Sequence, residues 1–228
     1  MNLQLTWMGH ACWLLNVGPY SVLIDPFLDD NPAAPVKSQD VRADYILCSH
    51  GHFDHVGDAR SIAQRCGSTI ISNYEICEWF SKQGVEKTIG MNLGGGINLP
   101  FGRVKLTLAF HSSQLPDGSY GGNPAGFLVS IPGGQNIYFA CDTALFSDMK
   151  LIGDTGIDVA VLPIGDLFTM GPEDSLLAIK LLRPAKVIPS HVNTFPQIAQ
   201  DVDAWAREVQ AQTEAIPVVL QPGESYLF

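Results

Sequence analysis

The chain has 228 residues, 46% hydrophobic and only 16% charged, the composition of one folded domain with a sizeable core rather than of a disordered segment. A formal net charge of −10 disfavours a protein that grips nucleic acid by charge, and no apolar run approaches the ~18 to 20 residues that cross a bilayer. Five cysteines (Cys12, Cys48, Cys66, Cys77, Cys141) without a C-x-x-C pair, and no basic residue before Lys37, lead us to expect reduced, mostly buried thiols, no export signal and a cytoplasmic setting.

Alternating apolar stretches and turn signals predict strands over 3–7, 12–16 and 20–24, separated by Met8-Gly9-His10 and Val17-Gly18-Pro19. A short buried strand follows at 45–48. A helix then carries Val56, Ala59, Ile62 and Cys66 on one face. Residues 68–72 read as a strand and 74–83 as a helix with Ile76, Trp79 and Phe80 inward. The Gly94-Gly95-Gly96 stretch reads as a loop. Strands are expected at 103–110, 125–131, 136–140 and 158–162, then a helix opened by Gly171-Pro172-Glu173-Asp174, with proline and acids suited to a first turn. A strand at 186–189, an amphipathic helix through Ile198, Val202, Trp205 and Val209, and segments 217–220 and 225–228 complete the pattern. Trp79, Phe80 and Trp205 are expected in the core.

The segment Leu23-Ile24-Asp25…Asp44-Tyr45-Ile46-Leu47 is echoed by Ala140-Cys141-Asp142…Asp158-Val159-Ala160-Val161. In each, a strand ends on an aspartate and another aspartate introduces the next buried strand. Two related β-plus-α halves of this kind can build a four-layer αββα sandwich within a single domain, 1–228.

Chemistry concentrates in Ser49-His50-Gly51-His52-Phe53-Asp54-His55, directly after a buried strand. In an extended segment His50 and His52 point the same way, whereas Asp54 and His55 enter the next helix and turn away from them. Imidazole and carboxylate together suit zinc and similar divalent cations. Partners must come from distant sequence, and His10, His111, His191 and Asp142 each follow a predicted strand. The glycine runs match no nucleotide-binding fingerprint.

Taken together, Gly9-His10, Leu23-Ile24-Asp25-Pro26-Phe27, the H-x-H-x-D-H run, Phe110-His111-Ser112-Ser113, Gly121-Gly122-Asn123-Pro124-Ala125-Gly126, Cys141-Asp142-Thr143, Phe168-Thr169-Met170-Gly171-Pro172 and Ser190-His191-Val192-Asn193-Thr194-Phe195-Pro196 resemble the metallo-β-lactamase superfamily, in particular its small, uncharacterised metal-dependent hydrolases, related to the ascorbate-phosphate-lactonase-like group. The resemblance implies the metallo-β-lactamase fold and a ligand set: His50, His52 and His111 on one metal, Asp54, His55 and His191 on a second, and Asp142 bridging. It implies that Asp25 holds the metal-binding loop without itself binding metal. Cys141, Phe53 and Asp166 stand where the resemblance leads us to expect glycine.

His10 either donates a proton or hydrogen-bonds to Asp25. Asn193 either polarises a substrate oxygen or caps a turn, and Cys141 reads as a small buried side chain beside the bridging aspartate. The implied activity is metal-dependent hydrolysis of a small-molecule ester, lactone or phosphodiester by a metal-bridging hydroxide, with Asp54 passing a proton to the leaving group. The expected cofactors are two divalent cations, zinc first, then manganese, nickel or iron. The rival readings are an iron-dependent oxidoreductase on the same fold and a non-catalytic metal-dependent ligand sensor. No nucleic-acid or membrane partner is expected, and self-association is left open.

Overall fold

A computed structural model describes residues 3–228. The chain opens with β1 (Leu3–Trp7), β2 (Trp13–Val17), β3 (Tyr20–Ile24) and β4 (Tyr45–Leu47). The short helix α1 (Phe53–Val56), then α2 (Ala59–Cys66), β5 (Thr69–Asn73), α3 (Tyr74–Lys82), β6 (Thr88–Met91), β7 (Gly96–Leu99) and β8 (Gly102–Leu108) follow. Next come β9 (Ala125–Ile131), β10 (Gln135–Phe139), α4 (Met149–Gly153), β11 (Val159–Pro163), α5 (Pro172–Leu182), β12 (Lys186–Ser190), α6 (Val202–Gln212), β13 (Ile216–Pro217) and β14 (Ser225–Leu227).

Two compact units result. One comprises the chain up to Gly95 with Ser112–Ala125 and Leu220–Phe228; the other comprises Gly96–His111 and Gly126–Val219. The first holds a mixed sheet of order β14-β1-β2-β3-β4-β5-β6, antiparallel from β14 to β3 and parallel from β3 to β6. Leu23, Ile46 and Ile70 face a cluster with Val56, Ala59, Ile62, Ile76 and Phe80 from its helices. Their alternates Val22, Ile24, Leu47 and Ile71 are buried too, which explains why these strands read as continuous apolar runs. The second unit's sheet runs β13-β12-β11-β10-β9-β8-β7, with β10 to β13 parallel.

The internal echo extends to hydrogen bonds. Asp44 Oδ2 accepts from Ser21 N at 2.8 Å, and Asp158 Oδ2 accepts from Asn136 N at 2.7 Å, so each aspartate pins its strand to the start of the preceding parallel one. At the other end Asp25 N donates to Leu47 O, and Ala140 N donates to Val161 O. This register matches Asp25 with Ala140 rather than with Asp142. The bridging candidate lies two residues beyond the position the echo assigned it.

Helix ends follow local chemistry. Asn73 Oδ1 accepts from Ile76 N at the start of α3, Asp201 Oδ1 from Ala204 N at the start of α6, and Pro172 occupies the first turn of α5. Four expectations shift. The helix expected through Val56 and Cys66 breaks after Val56, and Asp58 between the pieces turns its carboxylate to Leu28 N and Asp29 N. Of the Gly94-Gly95-Gly96 stretch expected as a loop, Gly96 opens strand β7, and β6 precedes the loop; the short, partly exposed residues of both strands gave no clear alternation. Ile198 lies in a 3₁₀ turn ahead of α6. Trp79 is half-buried, its indole N–H donating to Asp117 Oδ2 at 2.6 Å, because a tryptophan near a helix surface needs a partner for that group.

Candidate metal centre

In the first unit the H-x-H-x-D-H run leaves β4 through Ser49 and enters α1 at Phe53. The ligand atoms of His10, Asp54 and His55 lie within 4.8 Å of one another. His10 Nε2 sits 3.0 Å from Asp54 Oδ2 and His55 Nε2 sits 3.7 Å from it. His50 Nε2 is 2.9 Å from His52 Nδ1, and the His50 and His55 rings are centred 4.0 Å apart. His10, His50 and His55 are fully buried. Four imidazoles and a carboxylate crowded this way form a donor set that a divalent cation fits.

Asp25, also fully buried, organises this set from behind. Its Oδ1 accepts from Ser49 N at 2.7 Å; its Oδ2 accepts from Ser49 Oγ at 2.7 Å and lies 2.9 Å from His55 Nδ1. Ser49 Oγ in turn lies 2.9 Å from His50 Nδ1. With Oγ–H donated to Asp25, the oxygen can accept a hydrogen bond from His50 Nδ1–H. One carboxylate thereby sets both His50 and His55 with Nδ1 protonated and Nε2 presenting its lone pair. His10 hydrogen-bonds to Asp54 rather than to Asp25, whose oxygens are engaged by Ser49 and His55.

The second unit brings its candidates to strand ends as expected. His111 lies beyond β8, Asp142 beyond β10, and His191 directly after β12. Asp142 Oδ2 lies 3.2 Å from His191 Nε2 and 3.6 Å from His111 Nε2. Gly165 packs directly against the backbone of His191, where a Cβ would collide with the His191 carbonyl oxygen. Asn193 Oδ1 accepts from Gln200 N at 2.8 Å, so the side chain holds a turn.

Backbone strain gathers at these residues. Among the described residues, seven non-glycine residues adopt positive φ; six are His10, Asp25, Cys141, Asp166, His191 and Asn193, and the seventh, Arg183, ends α5. An arrangement this costly survives where surrounding contacts over-determine it, as they do at sites built for function.

Comparison with known proteins decides the family. Residues 20–192 match the Beta-lactamase superfamily domain. A UPF0173 metal-dependent hydrolase of Heliobacterium modesticaldum is 49% identical over 231 residues, covering 98% of this chain and 96% of its own. The chain is a metal-dependent hydrolase of the metallo-β-lactamase superfamily. A UPF0173 metal-dependent hydrolase of Thermus thermophilus is 48% identical over 224 residues, 97% of each chain. The solved structure of Igni18, a metallo hydrolase from Ignicoccus hospitalis, shares 35% identity with a TM-score of 0.90, covering 100% of this chain and 99% of its own. The hydrolase thus has the metallo-β-lactamase fold expected from its sequence, with two mixed sheets flanked by helices.

Two residues that matter to the hydrolase were not singled out in the sequence. Ser49 links Asp25 to His50, and its signal was a small hydroxyl residue between a buried strand and the first histidine. Thr143 accepts from Phe110 N through Oγ1 and from Met170 N through its carbonyl, tying two loops to the residue beside Asp142. Of the three positions where glycine was expected, Cys141 and Asp166 keep the left-handed backbone that favours glycine, at φ 53° and 66°. Cys141 is half-buried rather than buried. Phe53 begins α1 with its side chain in solvent.

Proposed function

We propose that residues 1–228 act as one domain that holds two divalent cations, zinc in preference to manganese, nickel or iron. His50, His52 and His111 would bind one, Asp54, His55 and His191 the other, with Asp142 shared. The substrate is a small molecule cleaved at an ester, lactone or phosphodiester bond, and the setting is the cytoplasm, where the free thiols stay reduced. The observation that carries this reading is the Asp25 network: Asp25 Oδ2 and Ser49 Oγ stand against Nδ1 of His55 and His50 as hydrogen-bond acceptors, an arrangement that favours Nδ1–H and leaves both Nε2 atoms for metal.

The bound cations would supply a water acidified toward neutrality and a Lewis acid for the scissile bond's oxygen. Asp54, with Oδ2 against His10, is the residue that would carry a proton to the leaving group. His10 holds that carboxylate in place and completes the proton route. Asn193, its Oδ1 taken by Gln200 N, keeps its amide N–H donors for a substrate oxygen.

Protein purified without chelator should contain close to two equivalents of cation by elemental analysis. It should turn over an aryl ester, a lactone or an aryl phosphodiester, without oxygen uptake. A content that stays near zero after zinc, manganese and nickel are added would overturn the reading.

A further inference from the structure

The sequence contains eleven phenylalanines, and three of them are exposed. Each adjoins a candidate ligand of its own unit or a loop tied to the neighbour of one: Phe53, 60% exposed, lies between His52 and Asp54; Phe110, 55% exposed, precedes His111; and Phe168, 57% exposed, lies in a loop fastened to Thr143, the residue after Asp142. The other eight are buried or half-buried. Apolar side chains scattered over a surface need no explanation, and Tyr74, Tyr120 and Leu151 are exposed elsewhere, but exposed phenylalanines beside candidate ligands stand where an apolar part of a substrate can bind.

The second unit shows how its rings are held. Thr143 is fully buried and follows Asp142. Its Oγ1 accepts from Phe110 N at 2.9 Å and its carbonyl accepts from Met170 N at 2.9 Å. The Phe110 ring rests edge-on against buried Phe146, centres 5.3 Å apart. Between Asp166 and Met170 a tight turn closes through Thr169 N to Asp166 O, putting Leu167, 65% exposed, and Phe168 at its tip. The Phe110 ring is therefore held against Phe146, the backbone that carries Leu167 and Phe168 is tethered, and both segments are anchored on the neighbour of Asp142. A surface of that kind is pre-ordered for a ligand, so little freedom is lost on binding.

We propose that Phe110, Leu167 and Phe168 form the specificity-determining surface of the hydrolase, and that its substrate carries an aryl or medium-chain alkyl group beside the bond to be cleaved. The proposal rests on the metal-centre reading above and names the substrate class for that site. Phe53, whose ring stands perpendicular to Phe27 at 5.8 Å while Phe27 packs against His10, is a second apolar surface of the same character in the other unit.

Calorimetric titration of the zinc-loaded protein with methylphosphonate and octylphosphonate tests this without turnover. The octyl compound should bind at least about tenfold more tightly, since burying even part of its chain removes apolar surface from water. Phe168→Ser and Leu167→Ser should each cut the octyl-to-methyl affinity ratio at least about threefold. Leu177→Ser, an exposed change on α5, should leave the ratio as it is. Equal affinities for the two phosphonates, no binding of either, or a ratio that survives both loop variants would each overturn the proposal. So would a dimer that Phe168→Ser converts to monomer in sedimentation with the ratio intact, since the patch would then serve self-association. Cation content, measured on the same sample, judges the metal centre separately: a protein with two cations and no chain-length preference keeps the earlier reading and loses this one.

Discussion

Asp25 follows β3 in the first unit and Asp142 follows β10 in the second, and the two sheets lead up to them through equivalent hydrogen bonds, Ser21 to Asp44 and Asn136 to Asp158. From there the units diverge. Asp25 is met by a serine N–H, a serine hydroxyl and an imidazole, so its charge is used in holding the H-x-H-x-D-H loop. Asp142 Oδ2 lies 3.2 Å from His191 Nε2 and 3.6 Å from His111 Nε2, so its neighbours include candidate metal ligands rather than the backbone and hydroxyl donors that hold Asp25. A two-residue extension past the repeat register separates the two roles. A buried carboxylate surrounded by donors organises structure, whereas one surrounded by other metal ligands is available for chemistry.

Replacing each aspartate by alanine should break that contrast in opposite ways. Asp142→Ala is expected to lower kcat at least about 1,000-fold on any accepted aryl ester or phosphodiester, with loss of cation and an unchanged circular dichroism spectrum. Wild-type turnover at full cation occupancy would show that the chemistry does not run through Asp142. Asp25→Ala should act first on the fold, lowering unfolding free energy by about 3 kcal/mol in urea, because it strands the Ser49 N–H and the His55 ring in a buried site. A loss of activity without loss of stability would reverse the roles assigned to the pair.

Ser49→Ala sharpens the comparison within the first unit. It removes the link to His50 and leaves the Asp25–His55 contact in place. Stability should fall by about 1 kcal/mol. Affinity for one of the two cations should fall about tenfold, as for other groups that orient a histidine ligand. Ser49→Thr, which keeps the hydroxyl, should restore binding measured by competition with a chromogenic chelator. Equal weakening of both cations would mean that Ser49 supports the whole loop and not one histidine.

The units also differ in their thiols. Cys12, Cys48 and Cys77 are buried in the first unit, and burial pushes all three thiols up, that of Cys77 to about 12. A raised value keeps the folded-state thiol protonated, so these three should resist alkylation at pH 8 until the chain unfolds. Half-buried Cys66 and Cys141 should label in the native protein, giving two adducts by mass spectrometry. Three or more adducts without unfolding would mean that the first unit opens more readily than its packing implies.

Much of this was legible because it is local. The H-x-H-x-D-H run follows a buried strand, each distant candidate sits at a strand end, and the Gly171-Pro172-Glu173-Asp174 signal marks the start of α5. What could not be read depends on contacts made across long stretches of chain. Nothing near Ser49 announces that its hydroxyl will meet Asp25, 24 residues away, and nothing near His10 announces that Asp54 will be its partner. The partly exposed strands β6 and β7 were missed because pairing, not alternation, defines them.

The smallest expected effect concerns the residue that separates the two aspartate roles. Cys141 occupies φ 53°, where a side chain with a Cβ costs about 1 kcal/mol or more that glycine does not incur. Glycine also gives the unfolded chain more freedom, which offsets part of that gain. Cys141→Gly should therefore raise stability by less than about 1 kcal/mol, with the native adduct count falling to one. Asp25 adopts φ 46° as well, but there the side chain's three hydrogen bonds outweigh the backbone cost, so Asp25→Gly should destabilise the protein strongly even though it relieves the same strain. If Cys141→Gly instead destabilises by more than about 1 kcal/mol, the thiol makes contacts worth more than its strain. The linker before Asp142 would then be held by its side chain, as the residue after β3 is, and the asymmetry between the units would lie elsewhere than in these two turns.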